Sequence, residues 1–228
     1  MSQPEPTGAL KKLCQWAQKA LGYSFRDSTL LQEALTHASF SKEAGGVHNE
    51  RLEFLGDSVL NAAVSYQLFH LFPRDSEGSL TRKRVAVVCN ENLSKVGREL
   101  GIASRIRVGK SMEAQMAQGE ETVVADAVEA LVGAVFLDGG FEAALGVVKR
   151  VFFSREIPRY SNAKGFLQEL VVERYGELPV YRHSQCAEGF ESRVEVKGRC
   201  MGVGRGRSKK EADQRAAKEA LRLLEGDR

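Results

Sequence analysis

The sequence has few of the features that mark a disulfide scaffold, a zinc site or a membrane protein. Its four cysteines, Cys14, Cys89, Cys186 and Cys200, are scattered and form no CxxC pair. In a chain of 228 residues that excludes a dense disulfide framework and points to reduced intracellular thiols. No apolar run is long enough to span a bilayer, so no membrane partner is expected. The first residues, MSQPEPTG, have neither a basic start nor an apolar segment, so no secretory signal is expected and a cytoplasmic location follows. There is no GxxxxGK(S/T) loop, which argues against nucleotide hydrolysis by a P-loop. The four histidines suggest no Ser-His-Asp arrangement. Net charge is also small, at +3, and all of it lies in the last third. Residues 162–228 hold 14 Lys plus Arg against 11 Asp plus Glu, whereas residues 1–161 hold 19 of each. An excess of this size is only a weak pointer to a polyanionic partner.

What the sequence does contain is an ordinary globular composition, 43% hydrophobic and 28% charged, in a length that suits one large or two small domains. One stretch organises the rest: Asn49 to Phe69, NERLEFLGDSVLNAAVSYQLF. It is as apolar as a buried helix, yet Glu50, Glu53 and Asp57 interrupt it. At ~100° per residue the three carboxylates fall within an arc of roughly 60°. Like charges so arranged repel, and no basic side chain shares their face, so the stripe calls for a cation unless it is simply a solvated acidic face. A second helical stretch, Thr122 to Leu137, carries Asp126 and Glu129 three residues apart in an otherwise apolar run. Charged groups in such a helix need partners, either arginines elsewhere or an ion. If the two helices pack together, Glu53, Asp57, Asp126 and Glu129 converge with Glu50 at the rim. An all-oxygen set of this kind suits a hard divalent ion, magnesium first among them, with one ion or two left open. Such an ion activates water and stabilises charge on a phosphodiester.

The remaining pattern is helical up to residue 153. Helices are expected at 9–21, 28–37 (capped by Asp27 or Ser28, with His37 packed or capping), 79–89, 91–100 and 141–153. A loop with Gly45 and Gly46 follows the second helix, the central helix stops near Pro73, and residues 102–119 read as a loop with at most a helical turn. Residues 1–8 are expected to be a disordered tail, 9–154 a helical domain, and 155–162, with Pro158, a linker. Beyond it, 163–228 reads as helix, three short strands at 180–185, 192–196 and 199–203, and a helix at 209–224. The last two strands meet across a Lys197-Gly198 turn. Ser208 and Glu211 form an S-x-x-E capping box that puts Lys209 and Lys210 in the first turn of the last helix. Cations there oppose the helix dipole, which favours a phosphate ligand over a merely solvated basic turn. Before them runs a glycine-spaced loop carrying Arg205 and Arg207.

These motifs resemble a known family. NERLEFLGD at 49–57, EGSLTRKR at 77–84 and ADAVEALVGAVFLD at 125–138 are similar to segments of the ribonuclease III family of double-stranded RNA endonucleases. LQE at 167–169 and GRGRSKKEADQRAAKEAL at 204–221 resemble a double-stranded RNA-binding domain. The likeness covers almost the whole chain. It implies an all-α N-terminal endonuclease domain followed by an α+β (α-β-β-β-α) RNA-binding domain. Glu53, Asp57, Asp126 and Glu129 would be the Mg2+ ligands, with Asp57 and Glu129 catalytic and Glu50 and Glu77 accessory. Gln168 and Glu169 would touch the minor groove, while Lys209 and Lys210, helped by Arg205 and Arg207, would hold phosphates. The products would carry 5′-phosphates, 3′-hydroxyls and short 3′ overhangs, and ribosomal RNA precursors would be the usual substrate. The family's Gly-Pro-x-His element has no counterpart in CAEGFES at 186–192, the expected loop between the first two strands. One carboxylate cluster per chain cannot cut both strands of a duplex, so a homodimer is expected. Phe54 matches the family's interface aromatic. The rival readings are a protein that binds folded RNA without cutting it and a purely structural ribosome-associated protein.

Overall fold

The structure is a computed structural model that describes residues 8–117, 121–154, 162–187 and 189–226. Of the expected tail at 1–8 and linker at 155–162, residues 1–7 and 155–161 lie outside the described residues, while Gly8 opens the first helix and Asn162 caps the helix at Ala163–Tyr175. The chain divides into two compact units, residues 1–159 and 160–228.

The first unit is helical: α1 (Gly8–Leu21), α2 (Ser28–Ala34), α3 (Ala38–Ala44), α4 (Glu50–Leu71), α5 (Glu77–Val88), α6 (Asn90–Glu99), α7 (Lys110–Ala117) and α8 (Glu121–Phe152). A short 3-10 turn, Ala103–Arg105, lies between α6 and α7. α8 is the axis of the core. Val124, Ala127, Ala130, Leu131, Ala134 and Val135 are all buried, in one cluster with Leu52, Leu60 and Val64 of α4 and Leu93 and Val96 of α6. By length and composition α8 could cross a membrane, so the sequence reading that no segment could do so needs correcting. Here it is a core helix, half of its most apolar window is buried, and Gly140 (φ 80°) breaks it into the two helices the sequence suggests.

Two expectations fail on either side of α4. The second helix ends at Ala34 rather than His37, and a further helix, α3, follows where a loop was expected. The cause is a distant partner. Arg107 N donates to Leu35 O and His37 N to Arg107 O, so Thr36 is held in a β-bridge with Arg107 and the helix cannot continue through it. His37 then caps α3, its Nδ1 accepting from Ser39 N at 3.2 Å. Likewise α5 begins at Glu77 rather than at residue 79, with Ser76 as its cap, and α7 forms within residues 102–119, where a loop was expected.

Asp138, the last residue of the second acidic motif, ties α8 to the entry of α2. It accepts from Tyr23 Oη at 2.7 Å, Arg26 N at 2.8 Å and Asp27 N at 2.9 Å. Burial pushes its pKa up, but these bonds and the nearby Arg26 charge outweigh that and hold it below the usual aspartate value. A lowered folded-state pKa means the stabilisation is present above the unfolded value, about 3.9, and is lost as pH falls through the folded value. Asp138→Ala should lower the melting temperature by about 5–10 °C at pH 7, from roughly 2–3 kcal/mol of charged hydrogen bonding. The deficit should shrink below pH 4, which thermal denaturation at several pH values would measure.

The second unit runs α9 (Ala163–Tyr175), β1 (Val180–Cys186), β2 (Gly189–Val196), β3 (Arg199–Gly206) and α10 (Lys209–Gly226). The strands form an antiparallel sheet in the order β1-β2-β3. Leu167, Leu170 and Val171 of α9 and Ala216, Ala217 and Leu221 of α10 pack with Val194 and Val196, so both helices cover one face of the sheet. Lys197 (φ 50°) and Gly198 (φ 72°) make the tight turn between β2 and β3. Positive φ at both central positions matches the right-handed strand twist.

Two strand limits differ from expectation. Residues 189–191, expected before the second strand, belong to β2, whose Gly189 pairs with Cys186. The glycine-spaced stretch before α10 is not a loop. It completes β3, with Gly202, Gly204 and Gly206 facing α10. A Cβ at Gly204 would sit 2.2 Å from Ala216 N, so only glycine lets the helix lie this close.

Candidate active site

The site forms where α4 crosses α8, and two glycines permit the crossing. A Cβ on Gly56 would fall 1.9 Å from Glu129 O, and one on Gly133 would fall 2.3 Å from Leu52 O. The helix backbones therefore touch at this level, a close approach that no larger residue allows. Glu53, one turn before Gly56, meets Glu129, one turn before Gly133. Ligand oxygens of Glu53, Asp126 and Glu129 all lie within 4.8 Å of one another, and each side chain is partly buried.

Of the expected carboxylates the structure brings these three together. Asp57 is exposed and outside that group, its Oδ1 accepting from Asn61 Nδ2 at 2.9 Å. It remains close enough for its charge to raise the pKa of both Glu53 and Glu129. Glu50 lies in the first turn of α4, largely exposed, 3.6 Å from His48 Nδ1. Glu77 stands at the start of α5, where its Oε1 accepts from Thr81 Oγ1 at 2.8 Å. A cavity of about 540 Å³ lined by Trp16, Lys19, Glu99, Leu100 and Arg150 includes none of the expected site carboxylates.

The electrostatics favour a cation. Glu129 is pushed up to about 8, first by burial and then by the charges of Asp57, Asp126 and Glu53. Glu53 is raised by burial, then by Asp126, Glu50 and Asp57. Every charge named in these two shifts is acidic. Converging oxygen donors that repel one another are the donor set a hard divalent ion prefers.

In the second unit, Gln168 is partly buried and Glu169 exposed on α9, and Lys209 and Lys210 are exposed in the first turn of α10. The start of α10 is capped reciprocally: Glu211 N donates to Ser208 Oγ at 3.2 Å, and Arg207 N donates to Glu211 Oε2 at 2.9 Å. Arg205 is set apart from the lysines. Its neighbours Gly204 and Gly206 face α10, so its side chain projects from the other face of the sheet. There its Nε pairs with Glu191 Oε2 at 2.9 Å, while Arg193 Nε pairs with Oε1 of the same carboxylate at 3.1 Å.

An oxygen-ligand cluster in a helical body, together with an α-β-β-β-α module bearing lysines at a helix start, defines a metal-dependent nuclease with a duplex-RNA-binding module. A family model described as ribonuclease-III-like matches residues 27–155, and the double-stranded RNA binding motif matches residues 163–224. The chain belongs to the ribonuclease III family, and it is an endoribonuclease that cleaves double-stranded RNA. It is 42% identical to Ribonuclease 3 of Oleidesulfovibrio alaskensis over 222 residues, covering 92% of this chain and 97% of the relative. It is also 42% identical to Ribonuclease 3 of Symbiobacterium thermophilum, covering 90% and 92%. Among solved structures it is similar to the nuclease domain of ribonuclease III from Campylobacter jejuni (38% identity, TM-score 0.56), covering 60% of this chain and 91% of that one. A second structure of that domain (37% identity, TM-score 0.56) is described as flexible in the region involved in dimer formation.

The residues that sequence reading missed are Gly56 and Gly133, which set the distance between the two acidic helices, and Asp138. Both glycines lie inside the quoted motifs. Their signal is a small residue three or four positions after an acidic one on each helix.

Proposed function

We propose that the ion is Mg2+ and that Glu53, Asp57, Asp126 and Glu129 hold it, with Glu50 and Glu77 accessory. The convergence of Glu53, Asp126 and Glu129 carries this reading. Asp57 would contribute through its charge and a ligand oxygen at the solvent edge. When bound, such an ion polarises the phosphoryl group and supplies hydroxide near neutral pH. The carboxylates orient the attacking water on the phosphodiester. A bond forms from water oxygen to phosphorus, the bond to the 3′-oxygen breaks, and that oxygen takes a proton, leaving a 5′-phosphate and a 3′-hydroxyl. Glu129 keeps its proton until about pH 8 in the metal-free protein, so loading the site releases it.

Gln168 and Glu169 serve the minor groove, and Lys209 and Lys210, with Arg207, the phosphates. Arg205, already paired with Glu191, contributes less than the sequence suggests. The nuclease domain spans 9–154, the linker 155–162 and the RNA-binding domain 163–228. The protein acts in the cytoplasm on ribosomal RNA precursors and other structured transcripts, as the family does. Two copies pair through the face of α4 that carries Phe54, which is 81% exposed, and Phe69, 65% exposed. Burying such rings is worth ~2 kcal/mol each. Phe54→Asp should therefore convert the dimer to monomer in analytical ultracentrifugation, with loss of paired double-strand cuts.

The test is incubation of the full chain with a long RNA duplex. Magnesium should give short duplexes with 5′-phosphates and two-strand cuts, and a chelator should stop the reaction. Equal cutting in chelator would end the metal reading, and no cutting with any divalent ion would favour a protein that only binds RNA.

A further inference from the structure

The RNA-binding module contains a buried polar hub that the reaction itself does not use. Asp213 of α10 is only 3% exposed and Ser192 of β2 is fully buried. Three groups from three other elements converge on the Asp213 carboxylate. Lys164 Nζ of α9 lies 2.6 Å from Oδ2. Ser192 Oγ donates to Oδ1 at 2.6 Å, and His183 Nε2 of β1 lies 2.7 Å from the same oxygen. The start of α9 is bound to α10 a second time: Lys164 N donates to Gln214 Oε1 at 3.2 Å, and Gln214 Nε2 to Asn162 Oδ1 at 2.9 Å. Lys164 also stacks its ammonium over Tyr181, 4.6 Å from the ring centre.

A buried ion pair adds little net stability over an apolar pair, since desolvation offsets most of its attraction. What it can supply is fixed geometry. Lys164 lies one turn before Gln168 on α9, and Asp213 one turn after Lys209 on α10, so each shares a helix face with its neighbour. The Lys164–Asp213 contact therefore joins the two turns adjacent to the two RNA-contacting segments.

We propose that Asp213 is a positioning residue for duplex RNA: by clasping Lys164, Ser192 and His183, it fixes the spacing between the Gln168–Glu169 segment and the Lys209–Lys210 clamp to that of the A-form grooves. This rests on the reading of those four residues as RNA contacts. Asp213 touches no RNA itself.

The test is duplex-RNA affinity of the full chain in chelator, measured across several salt concentrations, with melting curves and an NMR spectrum to confirm the fold. Simple electrostatics makes removal of a carboxylate from an RNA-binding domain tighten binding. Positioning demands the reverse. Asp213→Asn should weaken binding at least about fivefold and reduce the slope of log affinity against log salt by about 1, as a lost phosphate contact does. Tighter or unchanged binding, or weaker binding with the wild-type slope, would overturn the proposal. If Asp213→Asn does not fold, Ser192→Ala and His183→Gln, which leave the acidic and basic count unchanged, carry the same expectation and the same refutation. The Lys209→Ala, Lys210→Ala double variant separates the two layers. Wild-type affinity there would refute the parent reading, whereas loss there with none in Asp213→Asn would refute only the positioning role.

Discussion

Glu129→Gln should lower magnesium-dependent cleavage at least about a thousand-fold, roughly 4 kcal/mol of transition-state stabilisation. Glutamine keeps the shape of the side chain and removes one anionic oxygen from the cluster of Glu53, Asp126 and Glu129. RNA affinity in chelator should not change, because the RNA-binding module is a separate compact unit. The pH dependence gives a second signature. In the metal-free protein Glu129 holds its proton up to about 8, against 4.5 as a reference. A raised folded-state pKa means that its contribution to stability is full below the unfolded pKa and is lost as pH rises toward 8. The metal-free wild type should therefore lose melting temperature between pH 5 and 8 relative to Glu129→Gln, and divalent ions should reverse that loss. For the same reason the magnesium concentration giving half-maximal cleavage should fall as pH rises from 6 to 8. Single-turnover kinetics and melting curves test each statement. A variant cutting at the wild-type rate would remove Glu129 from the site.

The second large effect comes from a methyl group. In Gly56→Ala the new Cβ would lie 1.9 Å from Glu129 O and 2.5 Å from Glu129 C, against backbone that cannot rotate away. α4 and α8 must then separate. Overpacking of this kind costs about 1–3 kcal/mol or more. Displacing reacting groups by about 1 Å can cost a hundred-fold in rate. Gly56→Ala and Gly133→Ala should each lower both melting temperature and cleavage, the latter by at least about a hundred-fold. Gly146→Ala is the control. Its Cβ meets nothing within 4 Å, so the better helix former should be neutral or slightly stabilising. Equal behaviour of the three variants in cleavage assays would mean that the crossing at Gly56 does not set the site.

Much of this was legible before the structure, because the informative residues carry local signals. Glu50, Glu53 and Asp57 at helical spacing, and Asp126 and Glu129 in an apolar run, show their faces by periodicity alone. Lys197-Gly198 marks its turn by its backbone demands, and Ser208 with Glu211 marks a helix start. What stayed hidden depends on partners far away in sequence. α3 exists because Arg107 pairs with residues 35–37 and so ends α2 early. β3 extends through Gly206 because α10 lies against its glycines, which in isolation read as loop residues. Asp57 shares the acidic stripe in sequence, yet it points to the solvent edge of the cluster, a matter of crossing geometry rather than spacing. Arg205 reads as a phosphate contact until Glu191, fourteen residues earlier, is found across the sheet from it.

The most direct measurement is anomalous diffraction from crystals of the wild-type chain grown with Mn2+ in place of Mg2+. A peak about 2.1 Å from oxygens of Glu53, Asp126 and Glu129, and absent in Glu129→Gln, is the expected result. Protein that cleaves RNA in solution with Mn2+, yet whose Mn2+-grown crystals show no metal at the meeting of α4 and α8, would contradict the account.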